Sequence, residues 1–231
     1  MSDDAKGDSL SRISEQPVNY RNRPGAQHNR LGVIGGSFDP IHTGHLLLAE
    51  IAREKLGLDR VLFIPAAISP LKLDSEPRAT AKQRVEMLRL AINGNEFFDV
   101  DEREIKRGGA SFTVDTLREI DEENPDTELF FLMGADSLAS FERWKSPKEI
   151  CELAYVIVLA RGGHAKPDAE ELGKFLPKPE SAAQQILEMP EIEISSSDLR
   201  GRMGANQSVR YQIPPAVGAY IAAESLYAKK V

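Results

Sequence analysis

The chain has 231 residues, of which 41% are hydrophobic, and a formal net charge of −7. This length and hydrophobic content suffice for one sizeable core. The excess of acidic residues argues against a general nucleic-acid binder, which needs a basic stripe. A single cysteine, Cys151, excludes an intrachain disulfide and a cysteine metal site, and its apolar neighbours predict a core position. No apolar run is long enough to span a bilayer and no signal-like stretch begins the chain, so we expect a cytoplasmic protein without membrane contact.

The N-terminal segment differs from the rest of the chain. Residues 1–29 are polar, and their apolar side chains are isolated. Such a segment buries too little surface to offset its ordering entropy, so we expect a disordered or loosely ordered tail. One domain is expected over residues 30–231.

Short apolar runs alternate with helical periods through this domain. Strands are predicted at Leu31–Gly35, Arg60–Pro65, Phe97–Asp101, Glu128–Met133, Ala154–Ala160 and Gln185–Glu188. Helices are predicted at Gly44–Leu56, Ala81–Asn93, Thr113–Glu123, Leu138–Phe141, Pro147–Leu153, Asp168–Phe175, Ser196–Met203 and Pro215–Tyr227. The alternation favours an α/β fold: a doubly wound, mostly parallel, Rossmann-like sheet with helices on both faces and a small C-terminal helical part. Ligands of such sheets bind beyond the carboxyl ends of the strands.

The segment Gly35–His45 joins the first predicted strand to the first helix. Its two leading glycines lack a Cβ, so the backbone there can turn sharply and approach a ligand. Asp39 is expected to brace the loop, and Thr43 is the predicted N-cap. A helix N-terminus favours negative charge. The glycine pattern of dinucleotide-binding folds and the lysine of a Walker loop are both missing, so the sequence predicts a different kind of nucleotide-phosphate site.

His42 and His45 stand at the start of this predicted helix. An imidazole donates a hydrogen bond to a phosphate oxygen whether neutral or charged, and preorganised donors stabilise charge that develops on phosphorus. We therefore expect both side chains to contact phosphate. A metal pair and a purely structural role are the alternatives.

A second candidate phosphate motif lies at Ile194–Arg200. Its three consecutive serines precede a helical run, and Arg200 follows one turn later with a guanidinium that can bind phosphate oxygens. The alternative is an ordinary serine cap with a surface arginine. Together, the two motifs suggest two helix N-termini that hold a triphosphate between them.

These motifs resemble known signatures. Gly35–His45 resembles the H-x-G-H signature of the nucleotidyltransferase superfamily, and Ile194–Arg200 resembles its companion I-S-S-T-x-I-R. Between them, Pro65–Lys72 resembles P-x-x-x-P-P-H-K, Ser111–Thr113 resembles S-Y-T, and Gly134–Ser137 resembles G-x-D-S, followed by Trp144. The ordered set is similar to the bacterial nicotinate-nucleotide adenylyltransferase family. Leu71 stands where the family has histidine, Phe112 where it has tyrosine, Ser197 where it has threonine and Leu199 where it has isoleucine.

The resemblance implies transfer of the adenylyl group of ATP to nicotinate mononucleotide, which yields nicotinate adenine dinucleotide and pyrophosphate. It implies that His42 and His45 are catalytic and that Mg²⁺ arrives with ATP. The residues it places on ATP phosphates are Gly35, Gly36, Ser37, Phe38, Lys72, Ser195, Ser196, Ser197 and Arg200. Those it places on nicotinate mononucleotide are Ser111, Thr113, Gly134, Asp136 and Trp144.

Other functions remain open from the sequence. Relatives with the first motif use nicotinamide mononucleotide or another phosphorylated acceptor. A nucleotide-binding regulator without catalysis would keep the same phosphate motifs. An aminoacyl-tRNA synthetase is disfavoured, because the chain is short and acidic and lacks a K-M-S-K-S sequence. A homo-oligomer is compatible with the sequence, and no nucleic-acid partner is expected.

Overall fold

The structure, a computed structural model, describes residues 29–70, 77–161 and 167–228. These residues contain one parallel sheet of six strands in the order β3-β2-β1-β4-β5-β6. The strands are β1 (Asn29–Gly36), β2 (Arg60–Pro65), β3 (Phe98–Val100), β4 (Thr127–Gly134), β5 (Tyr155–Arg161) and β6 (Ile186–Met189). The winding reverses between β1 and β4, as in a doubly wound Rossmann-type sheet, so the predicted fold class is confirmed.

Helices cover both faces of this sheet. They are α1 (Thr43–Leu56), α2 (Ala81–Ile92), α3 (Arg103–Arg107), α4 (Thr113–Glu123), α5 (Ala135–Leu138), α6 (Pro147–Leu153), α7 (Ala169–Gly173), α8 (Ser196–Gly204) and α9 (Pro215–Ala223). Side chains of β4 alternate between the faces: Phe130 packs in the cluster with α1, α2, α8 and α9, and Phe131 packs in the cluster with α4, α6 and α7. Burial on both faces explains why the strands are almost continuously apolar.

Most predicted elements are present with ends shifted by one or two residues. The predicted helix Leu138–Phe141 is wrong, because α5 ends at Leu138 and a separate 3-10 helix covers Phe141–Arg143. The last helix ends at Ala223 rather than Tyr227, since Ser225, two residues beyond that end, has a positive φ of 52° that an α-helix cannot accommodate. The short helix α3 and a 3-10 helix at Pro179–Gln185 were not predicted, and both are too short for a clear apolar period.

Two further expectations concern the interior and the chain start. Cys151 is buried, and burial raises the pKa of its thiol to about 12, which confirms the predicted core position. Asn29 already belongs to β1, whereas the rest of the predicted tail lies outside the described residues. In the described ranges, no helix combines the length and apolar character needed to cross a membrane.

Candidate active site

The chain turns sharply after β1 at Phe38 rather than at the two glycines. Phe38 has a φ of 47°, whereas Gly35 and Gly36 still pair with β2 as the last residues of β1. The Phe38 ring is buried against Phe63 and under Gly36, where a Cβ would approach the ring to 3.1 Å. Gly36 is therefore needed for close packing, and Gly35, with no atom within 4 Å of a Cβ position, leaves the strand end open.

His42 and His45 form the N-terminus of α1. His42, which is 5% exposed, is the N-cap residue, and its backbone N–H donates to Nδ1 of His45 at 3.3 Å. The two imidazoles stack with their centroids 3.7 Å apart, and the Phe38 ring meets His45 edge-on at 5.2 Å. These contacts hold both rings at the helix N-terminus, where the dipole favours an anion.

Thr43 is not the N-cap that the sequence suggested. It is the first helical residue; its backbone N–H donates to the carbonyl of Gln212 at 2.9 Å and its hydroxyl to that of Tyr211 at 3.3 Å. The reason is that the His45 imidazole satisfies the cap, so the Thr43 hydroxyl is free to bind the segment before α9. Thr43 thus anchors this late segment to the phosphate loop, residues Gly35–His45.

Asp39 braces the loop through backbone amides, as the sequence suggested, but those amides come from another segment. The carboxylate, 3% exposed, accepts from the N–H groups of Arg78 and Ala79 at 2.9 and 3.0 Å. The hydroxyl of Tyr227 donates to Asp39 Oδ1 at 2.7 Å. Arg200 donates to the Asp39 carbonyl at 2.6 Å, and its Nη1 is 3.6 Å from Oδ2. Three segments distant in sequence therefore converge on Asp39.

Arg84 of α2 is a buried arginine that no sequence motif indicated. It is 2% exposed, and its two Nη atoms each donate at 2.8 Å, one to the Ser37 carbonyl and one to the Ala66 carbonyl. Burial lowers the pKa of its guanidinium, while the Asp39 charge opposes that shift. Arg84 fixes the loops after β1 and β2 relative to each other. One sequence feature could have indicated its burial, since Arg84 lies beside Val85 on the apolar face of a predicted helix.

The serine motif packs directly against the first loop. Ser196 donates from its hydroxyl to the Pro40 carbonyl at 2.9 Å, which places the start of α8 beside the start of α1. Ser195 is the N-cap and accepts from the N–H of Asp198 at 3.1 Å, and Ser197 accepts from Nη2 of Arg200 at 3.1 Å. The hydroxyl hydrogens of Ser195 and Ser197 remain available for an anion, since both groups accept in these bonds.

Arg200 is more constrained than the sequence suggested. Its Nη1 and Nη2 bind the Asp39 carbonyl and the Ser197 hydroxyl. Its Nε is buried and has no hydrogen-bond partner among the described residues. The guanidinium therefore ties α8 to the phosphate loop while it adds positive charge at the junction. Direct contact between Arg200 and a phosphate stays a prediction.

The expected mononucleotide residues lie on the segments that follow β3 and β4. Thr113 begins α4, as predicted. Ser111 accepts at Oγ from the N–H of Ala67 at 2.9 Å and also hydrogen-bonds Glu104, so its hydroxyl braces the loop after β2. Its contact with a ligand stays a prediction. Glu104 is buried, and this burial raises the pKa of its carboxyl against the opposing hydrogen bonds from Thr116 and Ser111.

Trp144 lies beyond the 3-10 helix that follows β4. Its ring packs edge-on against Phe141 at 5.4 Å and Phe131 at 5.9 Å, so it is partly buried rather than in a fully exposed loop. Its Nε1 is buried without a hydrogen-bond partner in the described ranges. Gly134 ends β4, and Asp136 is exposed on the first turn of α5 at the same edge of the sheet.

The first turn of α4 is linked to the Trp144 segment by an ion pair. Lys145 donates from Nζ to both carboxylate oxygens of Asp115, at 3.0 and 2.8 Å. The same ammonium lies 4.8 Å from the centroid of the Phe112 ring. Thr113 and Trp144, which are both expected to contact nicotinate mononucleotide, therefore lie on segments that this ion pair connects.

The contacts above do not include the segment around Lys72 or a metal site. Lys72, predicted to bind phosphate, and Leu71, the departure beside it, lie outside the described residues. In the described ranges, no group of three or more histidine, cysteine, aspartate or glutamate side chains is placed to hold a metal ion.

This arrangement can bind a polyphosphate and stabilise charge on it. The N-termini of α1 and α8 meet at the carboxyl end of β1, two imidazoles lie at their junction, and the guanidiniums of Arg84 and Arg200 lie around one carboxylate. Fold and motifs together define a nucleotidyltransferase. Consistent with this, residues 33–202 match the Cytidylyltransferase-like family, an interval that includes both phosphate motifs.

Similarity to individual proteins indicates which family of nucleotidyltransferases includes this chain. The chain is 42% identical over 208 residues to the probable nicotinate-nucleotide adenylyltransferase of Rhodopirellula baltica, with 88% of this chain and 95% of that protein covered. It is 43% identical over 202 residues to the protein of that name from Dehalococcoides mccartyi, with 86% and 97% covered. The chain belongs to the nicotinate-nucleotide adenylyltransferase family, which confirms the resemblance drawn from the motifs.

Solved structures agree at the level of the fold. Plasmodium falciparum nicotinic acid mononucleotide adenylyltransferase complexed with NaAD superposes with a TM-score of 0.66 at 21% sequence identity, covering 87% of this chain and 98% of that one. A nicotinate-nucleotide adenylyltransferase structure from Vibrio parahaemolyticus gives 0.62 at 18% identity, covering 87% and 97%.

Proposed function

We propose that this chain transfers the adenylyl group of ATP to nicotinate mononucleotide at the junction of α1 and α8. The observation that carries the proposal is the 2.9 Å hydrogen bond from Ser196 to the Pro40 carbonyl, which joins the two phosphate-type helix N-termini. One N-terminus carries the stacked imidazoles and the other carries serine hydroxyls. The similarity to the named adenylyltransferases supports this reaction over other phosphate chemistry.

The reaction needs positioning rather than a covalent nucleophile. A phosphate oxygen of the mononucleotide attacks the α-phosphorus of ATP in line, a new P–O bond forms, and the bond to the β-phosphate oxygen breaks as pyrophosphate leaves with the electron pair. His42 and His45 donate hydrogen bonds to oxygens on which negative charge builds. Ser195, Ser197 and the first-turn amides of α8 hold the departing phosphates.

Magnesium belongs to this proposal as part of the MgATP substrate. The carboxylate of Asp39, within the phosphate loop, already accepts from two backbone amides and the Tyr227 hydroxyl, so it has little capacity left to bind a cation. This fits an ion held mainly by phosphate oxygens and water, which neutralises phosphate charge. The residues of the chain then act on the phosphates and not on the metal.

The acceptor is expected at the ends of β2 and β4. The indole of Trp144 offers a face on which a positively charged pyridine ring can stack. Thr113, at the start of α4, can donate from its amide and hydroxyl to the nicotinate carboxylate. Such a contact would favour the acid over the amide, because an amide group cannot accept as strongly and brings donors of its own.

The test is a coupled assay on the full chain with MgATP and each acceptor in turn. Nicotinate mononucleotide, nicotinamide mononucleotide and phosphopantetheine are compared by pyrophosphate release and by chromatography of the product. We expect the highest kcat/KM with nicotinate mononucleotide. Equal or better turnover of the amide would remove the acid preference, and ATP binding in calorimetry without pyrophosphate release would identify a non-catalytic regulator.

A further inference from the structure

The segment after α9 contacts the phosphate loop through the buried side chain of Tyr227. Tyr227 lies after α9, is 7% exposed, and donates from its hydroxyl to Oδ1 of Asp39 at 2.7 Å across 188 positions of sequence. The same hydroxyl is 4.0 Å from the sulfur of Met87 on α2. The ring therefore lies between α2 and the loop that carries His42.

The backbone at Tyr227 indicates that its position is imposed by these contacts. Its φ of 63° is in the left-handed region, which is unfavourable for an aromatic residue. Such a conformation persists only where the surrounding structure determines it. Burial raises the pKa of the Tyr227 phenol, and the carboxylate of Asp39 raises it further. The hydroxyl therefore keeps its proton and remains a donor.

Asp39 connects this hydroxyl to the rest of the site. Its carboxylate also accepts from the amides of Arg78 and Ala79, and it lies 3.6 Å from Nη1 of Arg200. It stands three residues before His42, and its own carbonyl accepts from Arg200. A shift of the Asp39 side chain would therefore move the phosphate loop and α8 together.

We propose that Tyr227 is a positioning residue for adenylyl transfer, which acts through Asp39 to fix the phosphate loop against the start of α8. The inference rests on the proposed function, since it assigns the C-terminal segment to the same site. In this role Tyr227 acts on the substrates only through Asp39. Its hydroxyl restrains Asp39 to the geometry in which the two helix N-termini meet.

The decisive variant is Tyr227→Phe, which removes the hydroxyl and keeps the ring. With purified full chain, kcat is expected to fall about tenfold, since small displacements of catalytic groups cost large factors in rate, while KM for nicotinate mononucleotide changes less than about twofold. The matched control is Tyr220→Phe, the same change at a partly buried position on α9, for which wild-type kinetics are expected. Assays run well below the unfolding midpoint of each variant, so a purely structural role would lower Tm and leave kcat unchanged.

A second variant tests the route through Asp39. Asp39→Asn replaces one acceptor oxygen with an NH2 group, which is a donor. That group then faces another donor, either the Tyr227 hydroxyl or a backbone amide. If Tyr227 acts through Asp39, the double variant is no slower than Asp39→Asn alone, whereas independent effects would multiply and overturn the proposal. If Tyr227→Phe does not fold, an unchanged kcat in Asp39→Asn overturns it instead. An inactive wild-type chain would refute the proposed function, whereas an active wild type with an equally active Tyr227→Phe refutes only this inference.

Discussion

The backbone N–H of His42 donates to Nδ1 of His45, 3.3 Å away, at the first turn of α1. Because Nδ1 accepts this bond, the neutral His45 imidazole carries its proton on Nε2. Nδ1 thus caps the helix, and Nε2 can donate a hydrogen bond to phosphate. Substitutions that replace only one of these two nitrogens can therefore separate helix capping from catalysis.

His45→Ala is expected to lower kcat by about a hundredfold or more, as loss of a transition-state donor does. His45→Asn retains an acceptor near the Nδ1 position and should preserve helix stability, yet turn over as slowly as the alanine variant. His45→Gln places an amide donor near the Nε2 position and should recover part of kcat while losing the cap. Steady-state kinetics and thermal unfolding of the three variants check this, and an active His45→Asn would contradict the assigned donor.

Gly44 gives a second prediction, on packing at the same helix start. A Cβ there would lie 3.0 Å from Nδ1 of His42 and 3.3 Å from Cγ2 of Ile192. We expect Gly44→Ala to displace the His42 ring and lower kcat at least about tenfold, because such a misplacement is costly in rate.

The matched control for this variant is Gly201→Ala on α8, where a Cβ meets no atom within 4 Å. Alanine is favoured over glycine within a helix by about 1 kcal/mol, so this control should unfold at a slightly higher temperature with wild-type activity. Unfolding and kinetics are measured on both proteins. Equal activity in the two variants would show that the His42 ring tolerates displacement.

The sequence predicted the sheet because strand and helix periods alternate regularly, and it predicted both phosphate motifs because each is contiguous in sequence. It did not predict what joins them. The contact between Asp39 and Tyr227 and the two carbonyl contacts of Arg84 link positions far apart in the chain. Such contacts depend on which segments the fold brings together, and no local pattern encodes them. The N-cap predicted at Thr43 was also wrong, because the imidazole of His45 has the capping role expected of the threonine hydroxyl.

Glu104 gives a prediction on the pH dependence of stability. Burial raises the pKa of its carboxyl above the ordinary value of 4.5, so the native chain binds this proton more tightly than the unfolded chain. The free energy of unfolding contributed by this group is therefore highest below pH 4.5 and decreases as the pH rises through the raised pKa. Glu104→Gln removes that titration, so the difference in stability between variant and wild type should shift in favour of the variant as the pH rises. Urea unfolding at several pH values between about 4 and 8 measures the difference, and a constant difference would contradict the raised pKa.

Trp144 gives the last prediction, on the acceptor side. Its ring is packed edge-on by Phe131 and Phe141, and the adjacent Lys145 is paired with Asp115 on α4, so the indole is held in place before any ligand binds. If the pyridine ring of the mononucleotide stacks on this indole, Trp144→Ala should raise KM for nicotinate mononucleotide about tenfold, the size of a desolvated cation–π contact, with KM for ATP kept. Trp144→Phe retains an aromatic face and should raise KM for nicotinate mononucleotide less. Lys145→Gln should raise this KM slightly, and the difference from wild type should disappear at high salt, because exposed ion pairs are weak and screened. Steady-state kinetics with each substrate varied in turn measures these changes; a large increase in KM for ATP in Trp144→Ala would place the indole beside the adenine instead.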